Sequence, residues 1–214
     1  MLKARHIIFG IFPALLIVMG IFAFRVWQYE ALFKTPAPLT DTSTGLDLIP
    51  ILPDDPILGS ANAPHTIVVF EDLACTGCRA QDLILQDVQK KYPGKVKIIW
   101  KGLSVIPFPY ASEPAHRYAF CANKQGKFEV FKDYAFANYD NLSQPTISTI
   151  VKEIGLDEGT LQECLDSSEP DTYIEKIRTL ADLLHIQNVP TVFLENEQII
   201  TPTSVEEWEV LLGL

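Results

Sequence analysis

The chain has 214 residues, of which 48% are hydrophobic, and a formal net charge of −10; this composition is typical of a globular protein with one well-packed domain and additional segments. The acidity is concentrated after residue 34, where 13 basic residues stand against 26 acidic ones. A body this acidic is a poor electrostatic match for nucleic acid or anionic lipid, so we expect neither as a ligand.

The first segment is predicted to be a membrane anchor. The stretch 7–24, IIFGIFPALLIVMGIFAF, carries no charge, and as a helix it would rise roughly 27 Å, close to the ~30 Å hydrocarbon core of a bilayer. Aromatic residues follow at the depth where they anchor helices to the interface. We therefore expect a cytoplasmic N-terminus over 1–6 and a transmembrane helix over 7–27. A cleaved signal peptide is the alternative, but its apolar region would normally span only ~7–15 residues.

Residues 28–53 are predicted to be a linker, because the stretch 35–60 is rich in Pro, Asp, Thr and Ser and becomes structured only near its end. Its part 46–52, LDLIPIL, is a candidate edge strand, since its proline excludes a central strand. The folded domain is therefore expected to occupy residues 54–214.

Residues 65–103 have the pattern of a strand–helix–strand unit. The β-branched and aromatic run HTIVVFEDL at 65–73 predicts a buried strand. A helix follows at once, with apolar residues at helical spacing, and the Pro-Gly pair at 93–94 ends it. The stretch 95–103, KVKIIWKGL, opens by alternating lysine with apolar residues and predicts a second strand. A helical crossover between two strands implies parallel pairing.

The stretch from about 111 to 186 is predicted to be a helical insertion, because amphipathic segments follow one another with Gly, Pro or capping Asp residues between them. Strand character returns at 190–201, with polar residues at the turn between two strands. Ser204 and Glu207 form a capping box that opens a last helix. The predicted fold class is α/β with a helical insertion, preceded by one N-terminal transmembrane helix.

The motif CTGC at residues 75–78 lies where the first strand passes into its helix. A c-type haem would need His at the next position, where the chain has Arg79. A structural zinc ion needs a second close pair of Cys or His, and the remaining cysteines, Cys121 and Cys164, lie far apart in the sequence. A disulfide across two residues is strained, and strained disulfides are the reactive ones. Thiol chemistry is therefore the favoured interpretation, with no metal.

The position of the motif assigns a role to each thiol. Cys75 lies at the N-terminus of the helix, where unpaired backbone N–H groups and the helix dipole favour a thiolate. Such positions, and CxxC motifs in general, lower a thiol pKa from ~8.5 to roughly 3.5–7.5. Cys78 lies one turn inside the helix, where it can attack a mixed disulfide formed at Cys75. We therefore expect Cys75 to be the nucleophile and Cys78 the resolving cysteine.

From about residue 54 onward the chain resembles the DsbA-type branch of the thioredoxin superfamily. DDPILGSANAPHTIVVFEDLACTGC at 54–78 is similar to the first strand and active site of that branch. CANKQGKFEVFKDYAF at 121–136 resembles the start of its inserted helical domain, and NVPTVFLEN at 188–196 its later active-site loop. The resemblance implies a thioredoxin-like fold and thiol–disulfide oxidoreductase activity without a bound cofactor.

The resemblance also implies roles for residues outside the motif. Pro190 matches a proline that is cis in this family and packs against the cysteine pair. With its neighbours Val189 and Thr191 it would offer a backbone edge to an extended peptide and keep metals off the thiols. Cys121 and Cys164 resemble a second cysteine pair that some members carry in the insertion; a structural disulfide is favoured over two buried free thiols. His116 is interpreted as a packing or surface histidine.

The sequence departs from the family pattern at two places. Thr76 and Gly77 replace the Pro-His dipeptide of strongly oxidising members, so we expect a less oxidising pair. Val69 stands where relatives often carry a buried acid, six residues before the first cysteine. Glu71 and Asp72 are close to the motif, but strand alternation places them on opposite faces. Which of them accepts a proton, if either, is left open.

The sequence thus predicts an extracytoplasmic, membrane-anchored thiol–disulfide oxidoreductase of bacterial type, held in the inner membrane with its catalytic domain on the periplasmic side. It would donate disulfides to the thiols of folding proteins, and by resemblance a membrane oxidase of the DsbB or VKOR type would regenerate it. The alternatives are a reductase or isomerase of the same fold, and a thioredoxin-like module that binds a metal or a peptide without turnover. A purely structural membrane partner is disfavoured by the position of the motif.

Overall fold

The computed structural model describes Met19, Gly20 and residues 48–214. The predicted N-terminus over 1–6, most of the predicted transmembrane helix over 7–27 and most of the linker over 28–53 lie outside the described residues. Within the part that is described, no helix is both long enough and apolar enough to cross a bilayer.

A five-stranded sheet has the spatial order β1-β3-β2-β4-β5. Its strands are β1 (Ile57–Gly59), β2 (His65–Glu71), β3 (Val96–Gly102), β4 (Thr191–Leu194) and β5 (Glu197–Ile199). The central strands β2 and β3 are parallel, and the other neighbours are antiparallel. Helix α1 (Thr76–Lys91) makes the crossover between β2 and β3. The predicted strand–helix–strand unit with parallel pairing is therefore confirmed.

The interpretation of residues 46–52 as an edge strand was wrong for the described residues 48–52, which form no strand. The edge strand is β1, which runs antiparallel to β3. Asp55 explains the difference, because Asp55 and its partner Lys101 hydrogen-bond backbone groups of residues 50–52. Its carboxylate accepts the backbone N–H of Leu52 at 2.6 Å, and its partner Lys101 donates to the carbonyl of Pro50 at 2.7 Å. Backbone groups held by these side chains are not free to join a ladder.

A helical insertion separates β3 from β4. It consists of α2 (Glu113–Lys124), α3 (Phe128–Ala137), α4 (Gln144–Glu153), α5 (Glu158–Asp166) and α6 (Glu169–Leu183). Helices α2 and α3 are distinct because Gly126 between them has a φ of +68°, in the left-handed region that glycine adopts without strain. The last helix, α7 (Val205–Leu212), packs against α1. The predicted α/β class with a helical insertion is confirmed.

Two buried ion pairs take part in the contacts between the insertion and the rest of the domain. Asp55, before β1, pairs with Lys101 of β3, and both side chains are fully buried; the hydroxyl of Tyr173 on α6 donates to the same carboxylate at 2.9 Å. Asp82 of α1 pairs with Lys132 of α3, which is also buried. Removal of one partner from a buried pair leaves an uncompensated charge and costs about 3–5 kcal/mol. These contacts therefore fix the insertion against the sheet.

Candidate active site

Cys75 is the N-cap residue of α1. Its backbone is extended, with φ −95° and ψ 123°, and its Sγ accepts a hydrogen bond from the backbone N–H of Cys78 at 3.2 Å. The first N–H groups of a helix have no partner within the helix and favour a negative charge. Thr76 and Gly77 lie between the two cysteines and contribute no charged side chain. The passage from strand β2 into helix α1 therefore places the Cys75 sulfur where a thiolate is stabilised.

The two thiols have opposite acidities. Hydrogen bonds from the Cys78 thiol and from the backbone N–H groups of Cys78 and Gly77 outweigh partial burial and lower the pKa of Cys75 to about 6. Cys78 is fully buried, and this desolvation raises its pKa above that of an ordinary thiol, with a further rise from Cys75 and Glu71. Neither cysteine is in a disulfide. At neutral pH the pair is a thiolate at Cys75 and a thiol at Cys78.

The loop before β4 lies beside the cysteine pair. The peptide bond between Val189 and Pro190 is cis, as the resemblance implied, and the oxygen of Val189 lies 3.7 Å from Cys75 Sγ. A Cβ added to Gly77 would lie 3.3 Å from Pro190 Cδ, so the proline and the motif are in close approach. Thr191 is buried, and its hydroxyl turns back to a backbone carbonyl at 2.7 Å. The structure thus brings the predicted site residues of both segments together.

Asp72 is a fully buried carboxylate that accepts several hydrogen bonds. Burial alone would raise its pKa, but hydrogen bonds outweigh burial and lower the pKa below its usual value. One effect of these bonds is to hold the chain after β3 against the active-site segment. The partners of the carboxylate are the N–H groups of Ala74 (2.9 Å), Val105 (2.6 Å) and Ile106 (2.8 Å), the Ser112 hydroxyl (2.8 Å) and His116 Nε2 (3.4 Å).

Glu71, on the opposite face of β2 from Asp72, differs from Asp72 in its hydrogen bonding and in the direction of its pKa shift. It is 1% exposed, and its Oε2 accepts a hydrogen bond from Trp100 Nε1 at 2.9 Å, whereas its buried Oε1 has no partner. Burial raises the pKa of Glu71 well above its usual value, and the negative charge of Asp82 adds to the rise; Lys132 and the bond from Trp100 act in the other direction. The two neighbouring acids thus differ in the direction of their pKa shifts as well as in orientation.

A family model described as Thioredoxin matches residues 52–213. The chain belongs to the thioredoxin family. This match covers the sheet, the insertion and the cysteine pair, and the thioredoxin-like fold expected from the sequence is therefore confirmed.

Solved structures with the same thioredoxin-like fold come from several bacteria. A thioredoxin-like oxidoreductase from Silicibacter pomeroyi has a TM-score of 0.65 and 23% identity, over 75% of this chain and 91% of that one. The thiol-disulfide exchange protein alpha-DsbA2 from Wolbachia pipientis has a TM-score of 0.66 and 21% identity, over 74% and 86%. At these identities the likeness establishes the shared fold.

One curated relative of this thioredoxin-family chain is the Na(+)/H(+) antiporter NhaA 3 from Salinispora tropica, with 26% identity over 161 residues. The match covers 74% of this chain and 24% of that protein. The chain therefore spans about a quarter of the length of the curated relative that it matches.

Trp100 lies beside this thioredoxin-family site, where its Nε1 donates to Glu71, and it was not predicted from the sequence. It lies opposite Val69 in the parallel pairing of β2 and β3, and its ring stacks on His116 at 5.6 Å between centroids. A Cβ on Gly102 would meet the Trp100 ring at 2.4 Å and His116 Nδ1 at 2.6 Å. His116 is 3% exposed and packs as expected, but it also contacts the Asp72 carboxylate. Trp100 is the one aromatic residue of β3, and a lone aromatic residue in a strand does not by itself indicate a functional site.

Cys121 of α2 and Cys164 of α5 form a disulfide with an S–S distance of 2.07 Å. The resemblance had implied this pairing. The bond joins residues 43 positions apart within the insertion, so it constrains the unfolded chain over a long segment.

Neither a bound cofactor nor a metal ion was expected from the sequence. Among residues 48–214, no three His, Cys, Asp or Glu side chains come together in a group that could hold a metal. Thiol–disulfide exchange transfers electrons directly between sulfur atoms, so the chemistry available to the cysteine pair does not require one.

Alkylation of the reduced protein should report the thiolate at Cys75. We expect the rate with iodoacetamide to rise as the pH increases through about 6 and then to level off, whereas the rate for an ordinary thiol rises with a midpoint near ~8.5. The measurement is the pH profile of carbamidomethylation by mass spectrometry. A Cys75→Ser variant, which retains the buried Cys78, should stay unlabelled below neutral pH. A wild-type midpoint near that of an ordinary thiol would contradict the assignment.

Proposed function

We propose that this chain is an extracytoplasmic thiol–disulfide oxidoreductase that donates its disulfide to the thiols of folding proteins. The observation that carries the proposal is the asymmetry of the cysteine pair. Cys75 is partly exposed at a helix N-terminus with a pKa of about 6, and Cys78 is buried behind it with a raised pKa. Such a pair has one sulfur that a partner can reach and one that resolves the intermediate.

The exchange requires two steps. In the oxidised pair, a substrate thiolate attacks Cys75 Sγ, the bond between the two cysteine sulfurs breaks, and Cys78 leaves with the electron pair and takes up a proton. A second substrate thiolate then attacks the substrate sulfur of the mixed disulfide and releases Cys75 as a thiolate. The substrate dithiol loses two electrons, and the cysteine pair gains them. Because Cys75 is a stable thiolate at neutral pH, its departure is favourable.

The loop that contains Pro190 supports a polypeptide as the substrate. The oxygen of Val189 lies 3.7 Å from Cys75 Sγ, and Pro190 lies against Gly77 of the motif. A strand edge at this position can pair with an extended chain. A peptide bound there would bring its own thiol to the exposed sulfur. Val189, Pro190 and Thr191 are therefore proposed as the substrate-binding segment, with Thr76 and Gly77 as the residues that tune the potential.

The compartment is proposed from the second cysteine pair and from the N-terminal sequence. Structural disulfides persist in oxidising compartments, and the bond between Cys121 and Cys164 supports such a location. The predicted transmembrane helix over 7–27 would hold the domain at the inner membrane on its periplasmic side. There a quinone-linked membrane oxidase of the DsbB or VKOR type is the proposed partner that reoxidises Cys75 and Cys78.

The reduction potential of Cys75–Cys78 in the full-length chain tests the direction of electron flow. We expect a value between about −270 mV, as in thioredoxin, and about −120 mV, as in DsbA, because a pKa of about 6 lies between the ~7 and ~3.5 of their reactive thiols. Equilibration with glutathione, followed by alkylation and peptide mapping, measures it. A potential at or below that of thioredoxin would replace the donor with a reductase. No exchange at Cys75 would favour a peptide- or metal-binding module.

A further inference from the structure

A groove of about 200 Å³ lies between α1 and α3, close to the cysteine pair. Its α1 wall includes Arg79, Leu83 and Gln86, and its α3 wall includes Asp133. Arg79 follows Cys75 by four residues, and residues four apart lie on the same face of a helix. The groove therefore leads away from the reactive sulfur along that face of α1.

The groove lies on the other side of α1 from the loop that contains Pro190. A Cβ added to Gly77 would lie 3.3 Å from Pro190 Cδ, so Gly77 is on the side of the helix that faces the loop. Arg79 comes two residues later, which is a rotation of about 200° around the helix axis. A polypeptide that binds at Pro190 and crosses the N-terminus of α1 would therefore meet the groove as a second, separate contact.

Arg79 gives the end of the groove nearest the thiols a positive charge. Its side chain is exposed, and its guanidinium lies 5.6 Å from the centre of the Tyr139 ring, in a cation–π contact that positions it. The other arginines within residues 48–214, Arg117 and Arg178, pair with carboxylates, whereas Arg79 has no such pair within that range. An exposed guanidinium of this kind is suited to bind a carboxylate of another chain.

The other end of the groove carries an excess of negative charge. Asp82 and Asp133 share one ammonium group, that of the buried Lys132, and Gln86 Nε2 joins the two carboxylates by hydrogen bonds of 2.9 Å. The side chain of Asp133 is 46% exposed, so its charge can be reached from solvent. Leu83, which is 48% exposed, is the apolar residue between the two charged ends.

We propose that this groove binds the residues next to the reactive cysteine of the substrate, and that it selects an acidic residue nearest the cysteine, then an apolar one, then a basic one. The acidic residue pairs with Arg79, the apolar one covers Leu83, and the basic one pairs with Asp133. The α1 wall rises about 10 Å from Arg79 to Gln86, which is the length of about three extended residues. The inference rests on the proposed function and specifies the substrates of the same site.

The test compares peptides of the same composition that carry their charges in opposite order. The single cysteine of each peptide is activated as a mixed disulfide with 2-nitro-5-thiobenzoate. The Cys75 thiolate of the reduced full-length chain attacks the peptide sulfur, the mixed disulfide breaks, and the coloured thiolate leaves with the electron pair. The rate constant of colour release is measured for Glu-Leu-Lys, Lys-Leu-Glu and neutral Gln-Leu-Gln segments, read outward from the cysteine on its N-terminal or its C-terminal side.

On one side of the cysteine, the Glu-Leu-Lys peptide should react about tenfold faster than the Lys-Leu-Glu peptide at low ionic strength, because both charge contacts are attractive in the first and repulsive in the second. Added salt should reduce this ratio, since exposed charges are screened. Each rate is divided by that of the neutral peptide in the same protein, which cancels any change in the reactivity of Cys75.

Arg79→Gln should lower the ratio to about threefold, because only the contact with Asp133 remains. Arg178→Gln is the matched control. It removes the same charge from α6, outside the groove, so its ratio should equal that of the wild type.

The outcomes separate this inference from the proposed function. If the wild type releases colour no faster than Cys75→Ser with any peptide, the proposed function fails. If exchange occurs but the two charged peptides react at equal rates on both sides of the cysteine, the groove does not select the substrate. A ratio that is as large in Arg79→Gln as in Arg178→Gln overturns the role of Arg79.

Discussion

Cys75→Ser should abolish thiol–disulfide exchange, with a fall of about 10³-fold or more, the scale seen when a catalytic nucleophile is removed. The reason is that Cys75 has the partly exposed sulfur and the lowered pKa, whereas Cys78 is fully buried and has a raised pKa. No other cysteine can replace it, because Cys121 and Cys164 are bonded to each other. The measurement is the rate at which glutathione disulfide oxidises a reduced dithiol peptide with the wild type or the variant as the catalyst.

Cys78→Ser is the matched control, and it should behave in the opposite way. This variant retains the thiolate at Cys75, so it should still form a mixed disulfide with an oxidised peptide, but it lacks the sulfur that resolves the intermediate. The covalent adduct should therefore accumulate and be visible by non-reducing electrophoresis. Exchange that continues at the wild-type rate in Cys75→Ser, or a Cys78→Ser protein that forms no adduct at Cys75, would show that the nucleophile has been assigned incorrectly.

The second large effect concerns the disulfide of the insertion. Cys121→Ala/Cys164→Ala should lose about 4 kcal/mol of stability, because the bond joins residues 43 positions apart and its loss releases the corresponding entropy to the unfolded chain. In a domain of this size, each kcal/mol corresponds to about 2–4 °C in Tm. Urea unfolding followed by circular dichroism measures the change.

The control for this variant removes the other two cysteines. In Cys75→Ala/Cys78→Ala two sulfur atoms are lost, but no cross-link is lost, since both thiols are free. Its unfolding midpoint should therefore fall much less than that of Cys121→Ala/Cys164→Ala. Equal midpoints for the two double variants would contradict a cross-linking role. The Cys121→Ala/Cys164→Ala protein should also keep the pH profile of Cys75 alkylation, as long as it is studied below its unfolding temperature.

Local pattern was sufficient to predict the elements that carry the cysteine pair. The alternation in β2 and β3, and the helical spacing in α1, are signals within one element, and they place Cys75 at a helix N-terminus without further information. Pro190 is different, because nothing in its neighbourhood indicates a cis bond. It was predicted only because the surrounding residues resemble those of a known family.

Long-range contacts explain what the sequence could not settle. Strand alternation places Glu71 and Asp72 on opposite faces, but it does not say what each face contains. The partners of Asp72 include Ser112, which is 40 residues away, and Asp82 meets Lys132 across 50 residues. The edge strand was placed wrongly for the same kind of reason, since Asp55 holds the preceding stretch through contacts with a distant strand and helix. Contacts between residues this far apart in the sequence leave no periodic pattern from which they could be predicted.

The two buried ion pairs have a mechanical consequence. One attaches the insertion at Asp55 through Tyr173 of α6, and the other attaches it at Asp82 through Lys132 of α3. A rigid body that is fixed at two points can turn only about the line that joins them. The hydrogen bonds from Ser112 and His116 to Asp72 add a third point of attachment, so a rocking of the insertion over the sheet as one rigid body would have to break one of these contacts.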